Sequence, residues 1–562
     1  MRRGKVLVLG DDTRGFLATV RSLGRQGVVV HAAPTNFRSP ALLSRYIGAV
    51  HDLPPWMGSG ADWLAAMAAL LRAEQFDLVI PCDERTLLPL QRHRTQLAAL
   101  TTLAIPDDPG IAALFDKHST RELARQVGVN VSPGRLARAE DTAAGLLAEF
   151  GAPVVVKPRQ SYSLDGLATR GRVHVLGTEP ELAAVLEGID RDGTLFEGYF
   201  AGDGLGVSIL ASGGRLLQAF EHHRVREQSG SSYYRISAAL NPDLVQACAA
   251  VAGAIQYTGV AMFEFKRNAA GGWILLEVNA RPWGSLPLPV ALGVDFPYRW
   301  FRLMVEHEET PPVEYRTGVY GRNLMQDLVA TRLEAHALHL GLATYLRFMA
   351  GRAAELLRLV TGREVHDVLV RDDLRPGLAE IGRGLAKAVR RAARLLPGTA
   401  GRTQVQARAQ VAAAARGGKP VRVLFVCQGN ICRSPYAEHL LLQVAPSAVE
   451  AASAGMMPRP GRPTPDTGVA AAAMEGVCLS EHRSSWLTRA MADAAALIVV
   501  FDDINVEAIQ DRYPDLATPV VKLGALLGED DIADPVDGGP PVFQAAYARI
   551  GRGVTELGRL LA

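Results

Sequence analysis

Short apolar runs closed off by turn residues recur along this chain. Those at Lys5 to Gly10, Val28 to His31 and Leu78 to Pro81 predict buried parallel strands. The stretches between them, 15–27 and 61–75, have helical spacing. Strand, helix and strand in that order predict a doubly wound α/β unit over residues 1–115. A second region, 116–320, opens with a helix from Asp116-Lys117 to about Val127 and continues with buried strands at Pro153 to Pro158 and Leu195 to Phe200. It closes with Met262 to Lys266 and Trp273 to Arg281 around the turn-rich loop Asn268 to Gly272, which predicts a hairpin. Residues 330–396 keep a helical period with little strand propensity, so 321–420 reads as a helical connector. Pro397-Gly398 and the tract Val411 to Gly418 read as its flexible joint. A last α/β region, 421–562, begins with the apolar strand Val423 to Val426.

Length changes this picture little: 562 residues accommodate about three or four domains. A composition 48% hydrophobic and 21% charged is that of an ordinary globular chain. The net charge of +2 gives no global case for nucleic acid or membrane partners. Locally, Arg383, Lys387, Arg390, Arg391, Arg394, Arg402, Arg408 and Arg416 accumulate without an acid after Ala379-Glu380. No aromatic residues interleave, and the run reads as a solvated basic helix and linker. Leu338 to Val360 is Leu- and Ala-rich but too charged to span a bilayer. The apolar run Val6 to Leu9 ends at Asp11, a strand and not a signal segment. Five scattered cysteines argue against a disulfide framework and for a reducing, cytoplasmic setting.

Chemistry concentrates in two places. The first is Val421 to Pro435, reading Val-Arg-Val-Leu-Phe-Val-Cys-Gln-Gly-Asn-Ile-Cys-Arg-Ser-Pro. The strand turns at Cys427, and Ser434-Pro435 starts a helix. Backbone N–H groups of Gln428, Gly429, Asn430, Ile431 and Cys432 can converge on one point, where the helix dipole adds positive charge. A cysteine facing such a cradle is held as the nucleophilic thiolate. Arg433 can fork onto two phosphate oxygens. Gly429 and Asn430 tolerate the curvature. Nucleophile, oxyanion cradle and clamp in one loop are what phosphate-ester cleavage through a cysteinyl-phosphate requires.

This loop, with Ser453-Ala454-Gly455 and Asp534-Pro535 downstream, resembles the low-molecular-weight protein tyrosine phosphatases over the last quarter of the chain. The resemblance implies a Rossmann-like domain with a four-stranded parallel sheet and no cofactor. It makes Cys427 the nucleophile, Arg433 the phosphate clamp, Ser434 the thiolate's partner and Asp534 the general acid. Arsenate reduction and phosphoarginine cleavage are alternatives on such a loop. Only Cys432 and Cys478 could act as resolving thiols here, and Ile431 suits a phenyl ring better than a guanidinium. The expected substrate is a phosphotyrosyl protein or a small aryl phosphate. Where the family often has aromatic walls this chain has Met456-Met457-Pro458-Arg459 and Val536.

The second place is the predicted hairpin. Period two puts Glu277 and Asn279 on one face with Arg281 next, and Glu264 on the neighbouring strand can lie opposite. Two carboxylates and an amide oxygen suit Mg²⁺. Residues 1 to about 320 resemble the ATP-grasp superfamily, near its carbamoyl-phosphate-synthase-like carboxylate–amine ligases, with Asn279-Ala280-Arg281-Pro282-Trp283-Gly284-Ser285 especially close. The resemblance implies a pre-ATP-grasp α/β domain and two α+β subdomains. It implies ATP with Mg²⁺ or Mn²⁺ on Glu264, Glu277 and Asn279, and phosphate contacts from Lys117 and Lys157. It places an adenine hinge at Glu197, Gly198, Tyr199 and Phe200, ribose near Asp203, and an acyl-phosphate steadied by Arg281. Small carboxylate and amine substrates follow from it. The loop Arg159 to Ser163 is poorer in glycine than the family's phosphate-covering loop. Arg224 and Arg226, with Ser229 to Ser232, fall where such enzymes hold the acid, and a solvated strand face is the equal alternative. Cys82, Asp83 and Glu84 lie just past a strand's carboxyl end, where α/β sheets place ligands, although loop acids there are more often solvated. The turn at Gly10 lacks a dinucleotide fingerprint. The whole reads as a two-enzyme fusion, with a nucleotide-sensing domain that regulates the phosphatase as the alternative.

Overall fold

The computed structural model describes every residue except 1–3, 165–166, 168–169, 229–230, 338–341, 356, 395–398, 417–419, 458 and 530. The chain divides into two compact units, the first of Met1–Thr35, Ser39–Pro54 and Gly60–Arg383, the second chiefly of Gly384–Ala562.

The first unit opens with a parallel five-stranded sheet. Its strands are β1 (Lys5–Leu9), β2 (Val29–Ala33), β3 (Ile47–Val50), β4 (Leu78–Pro81) and β5 (Thr102–Leu103), in the order β3-β2-β1-β4-β5. Helices α1 (Gly15–Arg25) and α2 (Ala61–Glu74) fill the crossovers. Val6, Val8 and Val30 are fully buried, as a doubly wound sheet demands of its inner strands. Cys82, Asp83 and Glu84 follow β4, and Asp83 caps helix α3 (Glu84–Arg92) by accepting from the Thr86 amide at 2.9 Å.

A small antiparallel sheet follows: β6 (Gly134–Leu136), β7 (Val154–Pro158), β8 (His174–Leu176) and β9 (Thr194–Gly198), ordered β6-β9-β7-β8. Then comes a seven-stranded sheet, β14-β13-β10-β11-β12-β15-β16. Its strands are β10 (Asp203–Ser212), β11 (Arg215–Gln228), β12 (Ser231–Ala238), β13 (Gly259–Arg267), β14 (Trp273–Asn279), β15 (Tyr320–Arg322) and β16 (Glu364–His366). The predicted hairpin is β13–β14. Phe263 and Phe265 of β13 enter the apolar core with Leu275 and Val278 of β14, which leaves Glu264 and Glu277 to the other face.

The connector departs from its all-helical reading. β16 adds a strand, parallel to β15. Just beyond it Asp367 meets Arg235 of β12 at 2.5 Å with both side chains wholly buried. Removing one member of such a pair costs about 3–5 kcal/mol, so this pair binds the segment to the sheet. The second part of the connector is also less of a joint than its composition implied. Thr399–Ala415 is one helix, and Val411 is fully buried in the second unit's core. Pro397, Gly398, Gly417 and Gly418 lie outside the described residues.

The second unit holds a parallel sheet in the order β18-β17-β19-β20, from β17 (Val421–Cys427), β18 (Val449–Gly455), β19 (Leu497–Val500) and β20 (Val520–Lys522). Alternate residues feed two apolar layers: Val423, Phe425 and Val499 on one face, Leu424, Val426, Ile498 and Val500 on the other. Among the described residues no helix is long and apolar enough to cross a membrane, and all five cysteines are free thiols.

Candidate functional site

β17 ends at Cys427, and the helix Arg433–Val444 begins six residues later. Between them Asn430 takes φ = 52°, in the left-handed region that asparagine tolerates better than most residues. That twist returns its backbone N–H to the Cys427 Sγ, at 3.2 Å. The Ser434 hydroxyl reaches the same sulfur at 3.1 Å. Cys427, Asn430, Arg433 and Ser434 are all buried.

The Asn430 side chain acts as the loop's internal brace. Its Nδ2 donates to Ser434 Oγ at 2.9 Å and to Ser453 Oγ at 2.8 Å, while its Oδ1 accepts from the Ser485 amide at 2.6 Å. Ser453 in turn donates to Glu438 at 2.5 Å. The outer wall is fixed by side chains from other loops: His482 Nε2 lies 2.7 Å from the Asn430 carbonyl, and Arg462 donates to the Gly429 carbonyl at 2.8 Å. The Gln428 carbonyl accepts from the Met457 amide at 3.0 Å. Ile431 is half-buried. Cys432 is buried, and burial, then the carboxylate of Asp534, pushes its thiol pKa far up, which keeps it protonated beside Cys427.

Arg433 donates from Nη1 to Asp502 at 2.6 Å and to the Ile532 carbonyl at 3.0 Å, and from Nη2 to Asp534 at 2.5 Å. The Asp534 side chain is one-third exposed, so one carboxylate faces both solvent and guanidinium. Cys427, Arg433 and Asp534 therefore meet around one loop, the arrangement that a nucleophile, a phosphate clamp and a general acid would need. Sequence reasoning named Cys427, Arg433, Ser434 and Asp534. It missed Asp502, Arg462 and His482, whose links to the loop exist only after folding.

In the first unit, Glu264 and Glu277 pair directly across β13 and β14, beside a β-bulge. Asn279 Nδ2 lies 3.1 Å from Glu264 Oε1 and 3.4 Å from Glu277 Oε1. Burial, then Glu277, pushes the Glu264 carboxyl up against the pull of Arg224. Glu277 is held low: burial opposes ionisation, and Lys117, Lys157, Arg170 and Arg281 together outweigh it. Two carboxylates this close fit a hard divalent cation, and the amide joins them as a ligand when its Oδ1, here accepting from Arg281, turns toward them.

Arg281 donates to Asn279 Oδ1 at 3.0 Å and to Glu84 Oε1 at 3.1 Å. Glu84 is thus no solvated loop acid. A small cavity lined by Glu84, Phe115, Lys117, Ser161, Glu277 and Arg281 lies here. Lys117, at the start of helix α4 (Lys117–Gln126), donates to Ser161 Oγ at 2.8 Å. Lys157 is buried against Glu197 at 2.6 Å, and Arg121 holds the other Glu197 oxygen at 2.7 Å. The Glu197 side chain is therefore committed to cations, and the Gly198 carbonyl accepts from Ser132 at 2.5 Å. Tyr199 is exposed with Lys266 over its ring, and the Phe200 carbonyl accepts from Lys266 at 3.2 Å. Asp203 is exposed at the start of β10, opposite Arg267.

The two arginines considered for acid binding differ. Arg224 contacts Glu264 and Glu227, beside the triad. Arg226 is held by Asp327 at 2.8 Å and Glu355 at 2.9 Å, inside a charge network with Arg322. That placement makes Arg226 a structural ion-pair member. Ser229 lies outside the described residues.

Comparison with known proteins agrees with both readings. Residues 422–562 match the family model for the low molecular weight phosphotyrosine protein phosphatase. Residues 191–326 match a model described as ATP-grasp in the biosynthetic pathway with Ter operon. A probable low molecular weight protein-tyrosine-phosphatase EpsP of Ralstonia nicotianae is 40% identical over 132 residues, 24% of this chain and 90% of that protein. The probable phosphatase AmsI of Erwinia amylovora is 32% identical over 125 residues, 22% of this chain and 86% of its own length. Among solved structures, the biotin carboxylase domain of Hydrogenobacter thermophilus 2-oxoglutarate carboxylase, with MgADP and bicarbonate, has TM-score 0.45 and 17% identity, covering 56% of this chain and 73% of that one. An L-amino acid ligase from Bacillus licheniformis has TM-score 0.42 and 17% identity, covering 55% and 78%. Through residues 422–562 this chain belongs to the low molecular weight protein-tyrosine-phosphatase family, and it joins that domain to an ATP-grasp domain.

Proposed function

We propose that the second unit cleaves aryl phosphate monoesters, phosphotyrosine among them, by a two-step transfer. The Cys427 sulfur attacks phosphorus, and the bond to the phenolic oxygen breaks as Asp534 gives that oxygen its proton. Water then attacks the cysteinyl-phosphate, Asp534 takes the water's proton, and the thiolate leaves. Arg433 clamps two phosphate oxygens in both steps, and Ser434 steadies the departing sulfur. The observation that carries this reading is the Cys427 sulfur held by the Asn430 amide and the Ser434 hydroxyl on a loop whose Arg433 also touches Asp534.

The first unit supports ATP-dependent joining of a small carboxylic acid to an amine. Glu264, Glu277 and Asn279 would hold Mg²⁺ or Mn²⁺, which when bound neutralises the nucleotide phosphates. Lys117 and Lys157, whose charges already act on Glu277, would take the nucleotide phosphates, and Arg281, braced by Glu84, would hold the activated carboxyl. With five free thiols, a cytoplasmic setting fits both activities.

Hydrolysis of para-nitrophenyl phosphate tests the phosphatase. Cys427→Ser should abolish it, and Asp534→Asn should slow it by about 10²–10³. Retained turnover in Cys427→Ser would overturn the assignment. ADP release that requires divalent cation, a carboxylic acid and an amine, and that Glu277→Gln abolishes, supports the ligase. ATP binding without turnover would favour a nucleotide sensor.

A further inference from the structure

Away from both sites, three potential metal ligands converge on the N-terminal sheet. His31 lies on β2, His51 directly follows edge strand β3, and Glu74 ends α2. His31 Nδ1 is 2.8 Å from His51 Nε2 and 3.8 Å from Glu74 Oε2. One donor atom from each lies within 4.8 Å of the others. We propose that His31, His51 and Glu74 form a transition-metal site, with Zn²⁺ the ion that the donor set fits best.

The folding logic is local. Leu7 pairs with His31 and Lys5 with Val29, so Lys5 and His31 share a face of the sheet, and Glu74 meets them there. The His51 amide donates to the Ala32 carbonyl at 2.8 Å, which fixes the end of β3 beside β2. Phe76 walls the cluster, its ring 5.3 Å from that of His31 and 6.2 Å from that of His51. Zn²⁺ binds imidazole nitrogen at about 2.0–2.1 Å, so tetrahedral donors stand about 3.3 Å apart. The observed spacings bracket that value, and small side-chain rotations suffice. Two imidazoles and one carboxylate leave a fourth position for water, and their borderline softness selects Zn²⁺ over Mg²⁺. Burial, followed by Lys5, lowers the pKa of His31, and burial lowers that of His51 against the pull of Glu74, a direction that favours the neutral imidazole a metal needs.

One group competes. The Lys5 ammonium donates to the Glu74 carboxylate and, at 2.9 Å, to the Glu74 backbone carbonyl. It supplies the positive charge that a bound cation would supply. Its side chain is 23% exposed, so it can swing into solvent while the metal takes the carboxylate. The metal would pin the edge strand of the sheet to its neighbour and to α2, and would couple binding to the stability of this domain.

The test is a Co²⁺ titration of the chelator-treated full chain, followed by visible absorption and reversed by Zn²⁺. Two other places could contribute signal, the cluster Glu438, His439 and His482 and the group Glu264, Glu277 and Asn279, the latter with the weak absorption of oxygen-ligated Co²⁺. The proposal expects one equivalent to disappear in His31→Asn and in His51→Asn and to persist in His482→Asn. It also expects Lys5→Met to tighten binding by about tenfold or more, a gain that no folding defect produces. An absence of binding in the parent, stoichiometry unchanged in both histidine variants, or unchanged or weaker affinity in Lys5→Met would overturn it.

Discussion

Asn430→Ala is the most revealing single change to the phosphatase loop. The side chain is fully buried and makes three hydrogen bonds, at 2.9, 2.8 and 2.6 Å. Each contributes about 1 kcal/mol net. Alanine at φ = 52° adds about 1 kcal/mol of left-handed strain. The sum, about 4 kcal/mol, is a large part of the 5–15 kcal/mol that usually holds a domain together. Catalysis should suffer separately, because Asn430 orients Ser434, and the Asn430 amide and Ser434 together fix the Cys427 sulfur. Asn430→Gly separates the two effects. It removes the same side-chain bonds but accepts the positive φ, so it should be about 1 kcal/mol more stable than the alanine variant and equally slow. Urea unfolding monitored by retained phosphatase activity, together with kcat on para-nitrophenyl phosphate at low denaturant, reads both quantities. Parental kcat in both variants would refute the idea that this side chain positions the nucleophile.

Three further changes follow from the same geometry. A Cβ at Gly455 would stand 2.9 Å from the Gly429 carbonyl carbon and 3.0 Å from the Asn430 nitrogen; Gly455→Ala should therefore displace the loop and cut kcat by at least about tenfold while the second unit stays folded by circular dichroism. Arg433→Lys keeps the charge but loses the fork that reaches Asp502, the Ile532 carbonyl and Asp534, and should raise KM for aryl phosphate and lower kcat together. The hydrogen bond from Arg25, then that from Tyr46, holds the Asp372 carboxyl well below the usual range. Its stabilising contribution is complete above about pH 4 and is lost as pH falls through the depressed folded-state value. The Arg25 and Asp372 side chains are 32% and 41% exposed, so Asp372→Asn should cost under about 1 kcal/mol at pH 7, with the difference from the parent shrinking on acidification in thermal melts.

What could be read before folding was whatever a short window carries. Cys427 to Ser434 lie on one strand-to-helix loop, so residue type and spacing there could propose a nucleophile, a cradle and a clamp before the fold was known. Period two put Glu264 and Glu277 on one face, and the register pairs them. Asp534, 101 positions from Arg433, was named through its motif, but the hydrogen bonds that brace the loop from afar were not. Ser453, Ser485 and His482 bond Asn430 across 23, 55 and 52 positions. Asp502 reaches Arg433 across 69. Glu84 looked like a solvated loop acid because its partner Arg281 lies 197 residues away. Arg226 fell where an acid substrate could bind, yet Asp327 and Glu355, from the connector, neutralise it. The three-residue strand β16 was lost inside a helical period, since so short a run carries almost no pattern. Val411 sits in an Ala-rich tract with the composition of a linker, and the core it joins comes from other segments.

The claim on which the phosphatase account rests is that Cys427 carries the phosphoryl group during turnover. A rapid denaturing quench of Asp534→Asn protein turning over an aryl phosphate, followed by peptide mass analysis, measures this directly. The account predicts a phosphoryl adduct on the peptide containing Cys427, and none in the Cys427→Ser variant. An adduct on any other residue, or turnover that persists with Cys427 replaced, would contradict it.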